Sequence, residues 1–316
     1  MNGVIIIDKP AGWTSHDVVN RMRRILGQKS VGHLGTLDPL ATGVLPLVTG
    51  SLTRLAQFYT TSEKTYEGTI RFGFATNTYD ADGDPVGEVS AASPTLEHLQ
   101  KLATGFLGRI EQVPPPFSAK KIHGVPAYKL ARKQKEVVLK PVQVEIKEFA
   151  ILGVEGDRAR FRARVASGTY MRSVAHDMGQ RLGPGAHLES LRRTAVAEFE
   201  ITQAHTLEEI EGGINEGQIK DCHSEPAGKP CEEPAVSRHQ GTAALFVHPR
   251  QLLPQFPSVT ADDATAARIR SGRPVNLPEL SRAHQVKVFQ GQRELIAIAT
   301  RVAGTLFHPR IVFSCG

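Results

Sequence analysis

The sequence predicts an α+β fold, and three patterns predict it. Residues 64–74 alternate strictly, with Tyr66, Gly68, Ile70 and Phe72 on one face and Thr65, Glu67, Thr69 and Arg71 on the other. That is the signature of a half-buried strand. Residues 158–165 alternate as well, setting Arg158, Arg160, Arg162 and Arg164 against Ala159, Phe161, Ala163 and Val165. Helical periods lie between such strands, but without the regular strand–helix alternation of a doubly wound sheet.

The elements follow in order. The apolar run Val4–Ile7 reads as a first strand and ends in a Pro10-Ala11-Gly12 turn. Thr14 or Ser15 then caps a helix whose apolar residues Val18, Val19, Met22, Ile25 and Leu26 recur at helical spacing. A glycine-rich loop spans Gly32 to Gly50, and the two alternating strands come after it. Ser167-Gly168-Thr169 breaks the second of them and caps a helix from about Tyr170 to Leu182. Residues 212–241 are rich in Gly, Glu, Pro and Ser and read as a disordered acidic insertion. Beyond Ser258 a short helix (Asp262–Ser271) precedes strands at Gln285–Phe289, Glu294–Thr300 and Arg310–Phe313, with Gly291 and Gly304 in turns. Two domains are expected, 1–256 carrying the insertion and a β-rich module at 257–316.

Composition narrows the function. No apolar run approaches the roughly 18 residues of a membrane helix, and charge follows Val4–Ile7 too soon for a signal peptide. Cys222, Cys231 and Cys315 are too few for a disulfide framework, so a cytoplasmic setting is expected. Net charge is +6, yet residues 205–240 carry eight acidic against three basic side chains, leaving the other 280 residues at +11. A basic body of that kind favours a polyanionic partner, because each phosphate neutralised releases counterions.

Gly32-His33-Leu34-Gly35-Thr36-Leu37-Asp38-Pro39-Leu40-Ala41-Thr42-Gly43 is the densest chemical motif. Its glycines permit close backbone approach, and Pro39 keeps Asp38 out of the helical region. A carboxylate held in such a loop suits a nucleophile; a simple Asp-Pro turn is the plainer reading. Tyr66 is a core aromatic on its strand pattern alone, and Arg172 a surface residue at a helix start.

Lys9-Pro10, Gly12-Trp13-Thr14-Ser15, Val31-Gly32-His33 and Gly35 through Leu45 together resemble the signature of the TruB family of tRNA pseudouridine synthases. Lys64-Thr65-Tyr66, Gln112-Val113-Pro114-Pro115, Ser118-Ala119-Lys120, Gly168-Thr169-Tyr170-Met171-Arg172-Ser173 and Leu191-Arg192-Arg193-Thr194 match in the same order. The resemblance is strong over about 1–210 and weaker beyond. It implies a pseudouridine synthase fold, a mixed and largely antiparallel sheet with flanking helices, followed by a small PUA-like RNA-binding domain.

The resemblance also assigns roles. Asp38 becomes the catalytic nucleophile and Tyr66 the ring that stacks on the target uracil. Arg172 pairs with Asp38 and orients it bidentately, and a guanidinium within about 4–6 Å favours the ionised form of a carboxylate. Tyr170 packs beneath that pair, Leu191 walls the uracil pocket, and His33 fills the space left by an extruded base. Lys9 joins the substrate-binding set through its motif. The implied substrate is the uridine conventionally numbered 55 in the T-arm stem-loop of tRNA, acted on by a monomer that needs no protein partner. Isomerising a nucleoside involves no net redox change, and the sequence has no dinucleotide fingerprint or P-loop, so neither cofactor nor metal is expected.

Other features are weaker. Asp80-Ala81-Asp82-Gly83-Asp84 resembles the start of a calcium loop but lacks the glutamate at position twelve, so it reads as an acidic turn. In the family an Asp usually stands at the place of Asp80, near the RNA. Cys222, His223, Cys231 and His239 fit no zinc spacing. Lys120, Lys121, Arg132, Lys133 and Lys135 read either as an RNA-closing segment or as a solvated basic face. Gln134 and Glu198 stand where the family more often has glycine. Rival functions are an RNA-binding protein with incidental chemistry, a synthase under guide-RNA control, and a glycoside hydrolase using Asp38.

Overall fold

The computed structural model describes residues 1–118, 121–122, 125–126, 139–213, 245–279 and 281–314. Lys120, Arg132, Lys133, Gln134 and Lys135 lie outside these, as do Cys222, His223, Cys231, His239 and the insertion beyond Gly213.

Strand β1 (Gly3–Lys9) leads into helix α1 (Ser15–Ile25), then β2 (Val31–His33), β3 (Thr42–Thr49), the short helix α2 (Ala56–Tyr59) and β4 (Lys64–Phe72). Two-residue strands β5 (Ala75–Thr76) and β6 (Pro85–Val86) form a small ladder. Helix α3 (Leu96–Thr104), β7 (Gly108–Gln112) and the short pair β8 (Lys121–Ile122) and β9 (Val125–Pro126) follow. Next come β10 (Val142–Glu155), β11 (Arg158–Val165), α4 (Met171–Leu182), β12 (Ala186–Val196), β13 (Phe199–Glu200) and α5 (Leu207–Gly213). The main sheet has the order β1-β3-β12-β4-β11-β10-β7, with β2 added to β3 and β13 to β12. Every pairing is antiparallel except β3 with β12, so the sheet is mixed and largely antiparallel.

Periodicity explains the packing. Along β11 the arginines at 158, 160 and 162 are exposed while Ala159, Phe161, Ala163 and Val165 are buried. Tyr66, Ile70 and Phe72 of β4 enter the same core. Helices α1, α3 and α4 cover that face with Val18, Val19, Met22, Leu99, Ala103, Val174 and Met178. Of the two caps the sequence offered, Thr14 is the one used, and it forms a capping box with Asp17. The first strand is buried on both faces: Ile5 and Ile7 join this core, whereas Val4 and Ile6 point into a second one. A continuous apolar run is what a doubly covered strand requires.

The second core is shared with the C-terminal module. There β14 (Ser258–Ala261), helix α6 (Asp263–Arg270), β15 (Val275–Asn276), β16 (Gln285–Gln290), β17 (Glu294–Ala303) and β18 (Leu306–Val312) form a five-stranded sheet ordered β14-β16-β17-β18-β15. The last strand begins four residues before the predicted Arg310. Val4, Ile6, Val44, Val48 and Phe199 pack with Phe289, Leu295, Ile298 and Ile311. Polar contacts fix the seam: Glu198 Oε1 accepts from the Tyr59 hydroxyl (2.5 Å) and from the Leu253 N–H (2.8 Å). The buried Lys287 amine donates to the carbonyls of Arg250 and Leu252 at 2.8 and 2.6 Å.

Candidate active site

The loop between β2 and β3 carries Asp38, and three anchors hold it. Ser15, at the start of α1, donates through Oγ to the Leu37 carbonyl (3.2 Å) and accepts from the Leu37 N–H (2.8 Å). Lys9, at the end of β1, donates to the carbonyls of Pro10 (2.9 Å), Trp13 (2.6 Å) and Pro39 (3.2 Å). Arg193, from β12, donates to the carbonyls of Gly35 (3.1 Å), Thr36 (3.2 Å) and Val44 (2.8 Å). The chain leaves the loop at Gly43, where φ is +99° and a Cβ would sit 2.2 Å from the Arg193 carbonyl oxygen. Only glycine fits there.

Helix α4 supplies the opposing charge from its first turn. Arg172 Nε lies 3.0 Å from Asp38 Oδ2, and Arg172 Nη1 lies 3.2 Å from Asp80 Oδ2. The carboxylate of Asp38 is 40% exposed, whereas the side chains of Arg172 and Asp80 are each only 7% exposed. The Nε–H is not aligned for a hydrogen bond, so the contact with Asp38 is a single-point ion pair. This corrects the expected bidentate fork. The fork is not formed because the guanidinium is shared with Asp80 and with the carbonyls of Thr78 (3.3 Å) and Phe117 (3.1 Å).

A cavity of about 260 Å³ opens beside this pair, lined by Asp38, Lys64, Tyr66, Tyr170, Arg172 and Leu191 among others. Tyr66 and Leu191 present apolar walls and are 7% and 8% exposed. Tyr170 is half-buried at the helix start, where Gln112 clamps its backbone: the amide oxygen accepts from Tyr170 N–H (2.8 Å) and the amide nitrogen donates to its carbonyl (3.1 Å). That clamp replaces the expected side-chain cap. Tyr170 itself is the N-cap residue, and the Thr169 hydroxyl bonds nothing.

Two predicted residues stand elsewhere. Lys9 is fully buried under the loop with its amine engaged by carbonyls, and it does not line the cavity. Its place makes it a support for the loop. Burial pushes its pKa down to about 8, against the opposing pull of Asp38. His33 ends β2 outside the cavity lining, and its Nδ1 accepts from the Gly35 N–H at 3.3 Å.

Comparison with known proteins identifies the fold and the family. The sequence model described as "TruB family pseudouridylate synthase (N terminal domain)" matches residues 23–171. The one described as "tRNA pseudouridylate synthase B C-terminal domain" matches 172–221. A tRNA pseudouridine synthase B of Solibacter usitatus (strain Ellin6076) is 49% identical over 317 residues, spanning 99% of this chain and 100% of the relative. The chain belongs to the TruB family of pseudouridine synthases.

Another TruB-family relative, the tRNA pseudouridine synthase B of Azoarcus sp. (strain BH72), is 35% identical over 99% of this chain and 95% of its own length. The solved "Structure of H/ACA RNP bound to a substrate RNA containing 2'-deoxyuridine" shares the fold with a TM-score of 0.70 at 22% identity, covering 99% of this chain and 85% of that one. Three participants in this TruB-family site escaped the sequence reading. Lys64 lines the cavity and shares the parity of Tyr66 along β4, which was a readable signal. Arg193 shares the parity of Leu191 and pairs across the sheet with Tyr66. Asp80 was read as a turn residue with a family Asp near RNA; no local pattern announces that it meets Arg172.

Proposed function

We propose that this pseudouridine-forming isomerase acts on the uridine at position 55 in the T-loop of tRNA, with Asp38 as its nucleophile. The observation that carries the reading is the meeting of Asp38, Tyr66, Tyr170, Arg172 and Leu191 on one cavity. The reaction breaks the bond between the ribose anomeric carbon and N1 of uracil and remakes it at C5, where a proton is then lost. Such chemistry is redox-neutral, and the needed parts are an attacking carboxylate, a pocket that retains the detached base and an acceptor for the C5 proton. Arg172 holds Asp38 toward the cavity. Leu191 and the ring of Tyr66 enclose the uracil, and stacking on an extruded base contributes about 1–3 kcal/mol. Extrusion itself costs a few kcal/mol, which such contacts offset.

The chain works as a monomer in the cytoplasm without a protein partner, and the module at 257–316 serves as a PUA-like RNA-binding domain behind a catalytic domain at 1–256. Among the described residues no helix is long and apolar enough to cross a membrane. Incubating purified protein with unmodified tRNA and mapping pseudouridine tests the assignment. Product at position 55 on bare tRNA is expected; folded protein that leaves intact tRNA unmodified there would overturn it. Asp38→Asn abolishes turnover and leaves RNA affinity near that of the wild type, measured by filter binding. Weakened binding with residual turnover would make Asp38 structural.

A further inference from the structure

Arg193 heads the fully buried side chains of the described residues by size, at 0% exposure. A guanidinium is costly to place there and requires strong reasons to stay. Among the described residues no carboxylate bonds it. Its nitrogens are spent on the carbonyls of Gly35, Thr36 and Val44, which bracket Asp38, and its charge acts on the Tyr66 phenol across the neighbouring strand. The backbone reinforces the link, since Arg193 is the cross-strand neighbour of both Gly43 and Tyr66. One side chain therefore grips both ends of the nucleophile loop and stands beside the strand position of the ring that faces the same cavity. A strut for the loop alone would require only the carbonyls; the cross-strand pairing with Tyr66 is additional. Burial raises the phenol's pKa and Arg193 opposes that rise.

We propose that Arg193 is a positioning residue that fixes the Tyr66 hydroxyl and the Asp38 loop to one rigid donor, keeping nucleophile and stacking ring at a constant separation as the nucleotide enters. This rests on the reading of the cavity given above. Wild-type turnover on a T-arm stem-loop is the control: if it is absent, that reading fails and not the role of Arg193.

The test is a double-mutant cycle in the full-length protein with Arg193→Lys, Tyr66→Phe and the pair. Single-turnover rates are followed by tritium release from 5-tritiated uridine in the stem-loop. Each single variant slows the reaction by roughly tenfold to a hundredfold, the scale of a small misplacement of reacting groups. RNA affinity stays within about threefold of wild type, and the double variant is no slower than the poorer single one. Multiplying losses, or affinity falling in place of rate, would overturn the proposal. Should Arg193→Lys melt below the assay temperature, Tyr66→Phe decides: coupling demands both a slower rate and a lower melting temperature. Either value unchanged refutes it.

Discussion

Lys64 shows how the site is charged at a cost. Its amine reaches the Ser62 carbonyl at 2.7 Å while lining the cavity, and burial followed by the nearby Arg193 pulls its pKa down to about 8. The folded state therefore binds this proton less tightly than the unfolded chain, whose lysine titrates near 10.5. Below about pH 8 the penalty on stability is constant, and it fades as pH rises from about 8 toward 10.5, where both states are neutral. Lys64→Met should thus gain stability over wild type at pH 7, an advantage that shrinks across that window. Paired urea melts at pH 7, 8.5 and 10 check it, and a difference that does not change with pH would show that the lysine is not under strain. At this scale the sequence was informative where a motif carried the residue. Asp38, Tyr66, Arg172 and Leu191 all reached the predicted cavity, whereas Asp80 did not declare its role because its partner lies on a distant helix.

Among the elements, α4 and β12 are the pair on which the charge geometry depends. Gly179 faces the strand so closely that a Cβ would lie 2.1 Å from the Ala186 nitrogen. Gly179→Ala must push the helix away from the sheet, at about 1–3 kcal/mol for overpacking. Because Arg172 occupies the first turn of the same helix, pseudouridine formation falls along with stability. A variant with the lower denaturation midpoint but full activity would show that the helix start moves independently of its middle. The bounds of α4 were readable to within a residue, whereas β12 was not foreseen as a strand. What was not readable was the cap, since the hydrogen bonds that end the helix come from Gln112 on another strand. The helix α5 likewise runs two residues into the segment assigned to the insertion.

For the whole molecule, the second core is the decisive feature. Residues from β1 and β3 interleave with β16, β17 and β18 in one apolar cluster, sealed by Glu198 and Lys287. The three strands β16, β17 and β18 of the C-terminal module were legible with glycines in their turns, but β14, β15 and the docking were not. Only the uninterrupted run Val4–Ile7 hinted that something covers the second face. With a shared core, both parts should melt together, and calorimetry should record one transition. Two separated transitions would mean that the seam contributes little.

The position of Asp80 behind Arg172 has a consequence for the course of the reaction. If Asp38 acts as the proposed nucleophile and spends its negative charge in a bond to the nucleotide, the guanidinium keeps in Asp80 a counter-ion that solvent scarcely reaches. Nothing then drives Arg172 to swing after the departing anion or to draw water into the cleft. On that reading, the carboxylate that returns when the product leaves would meet its cation where it left it, ready for the next nucleotide.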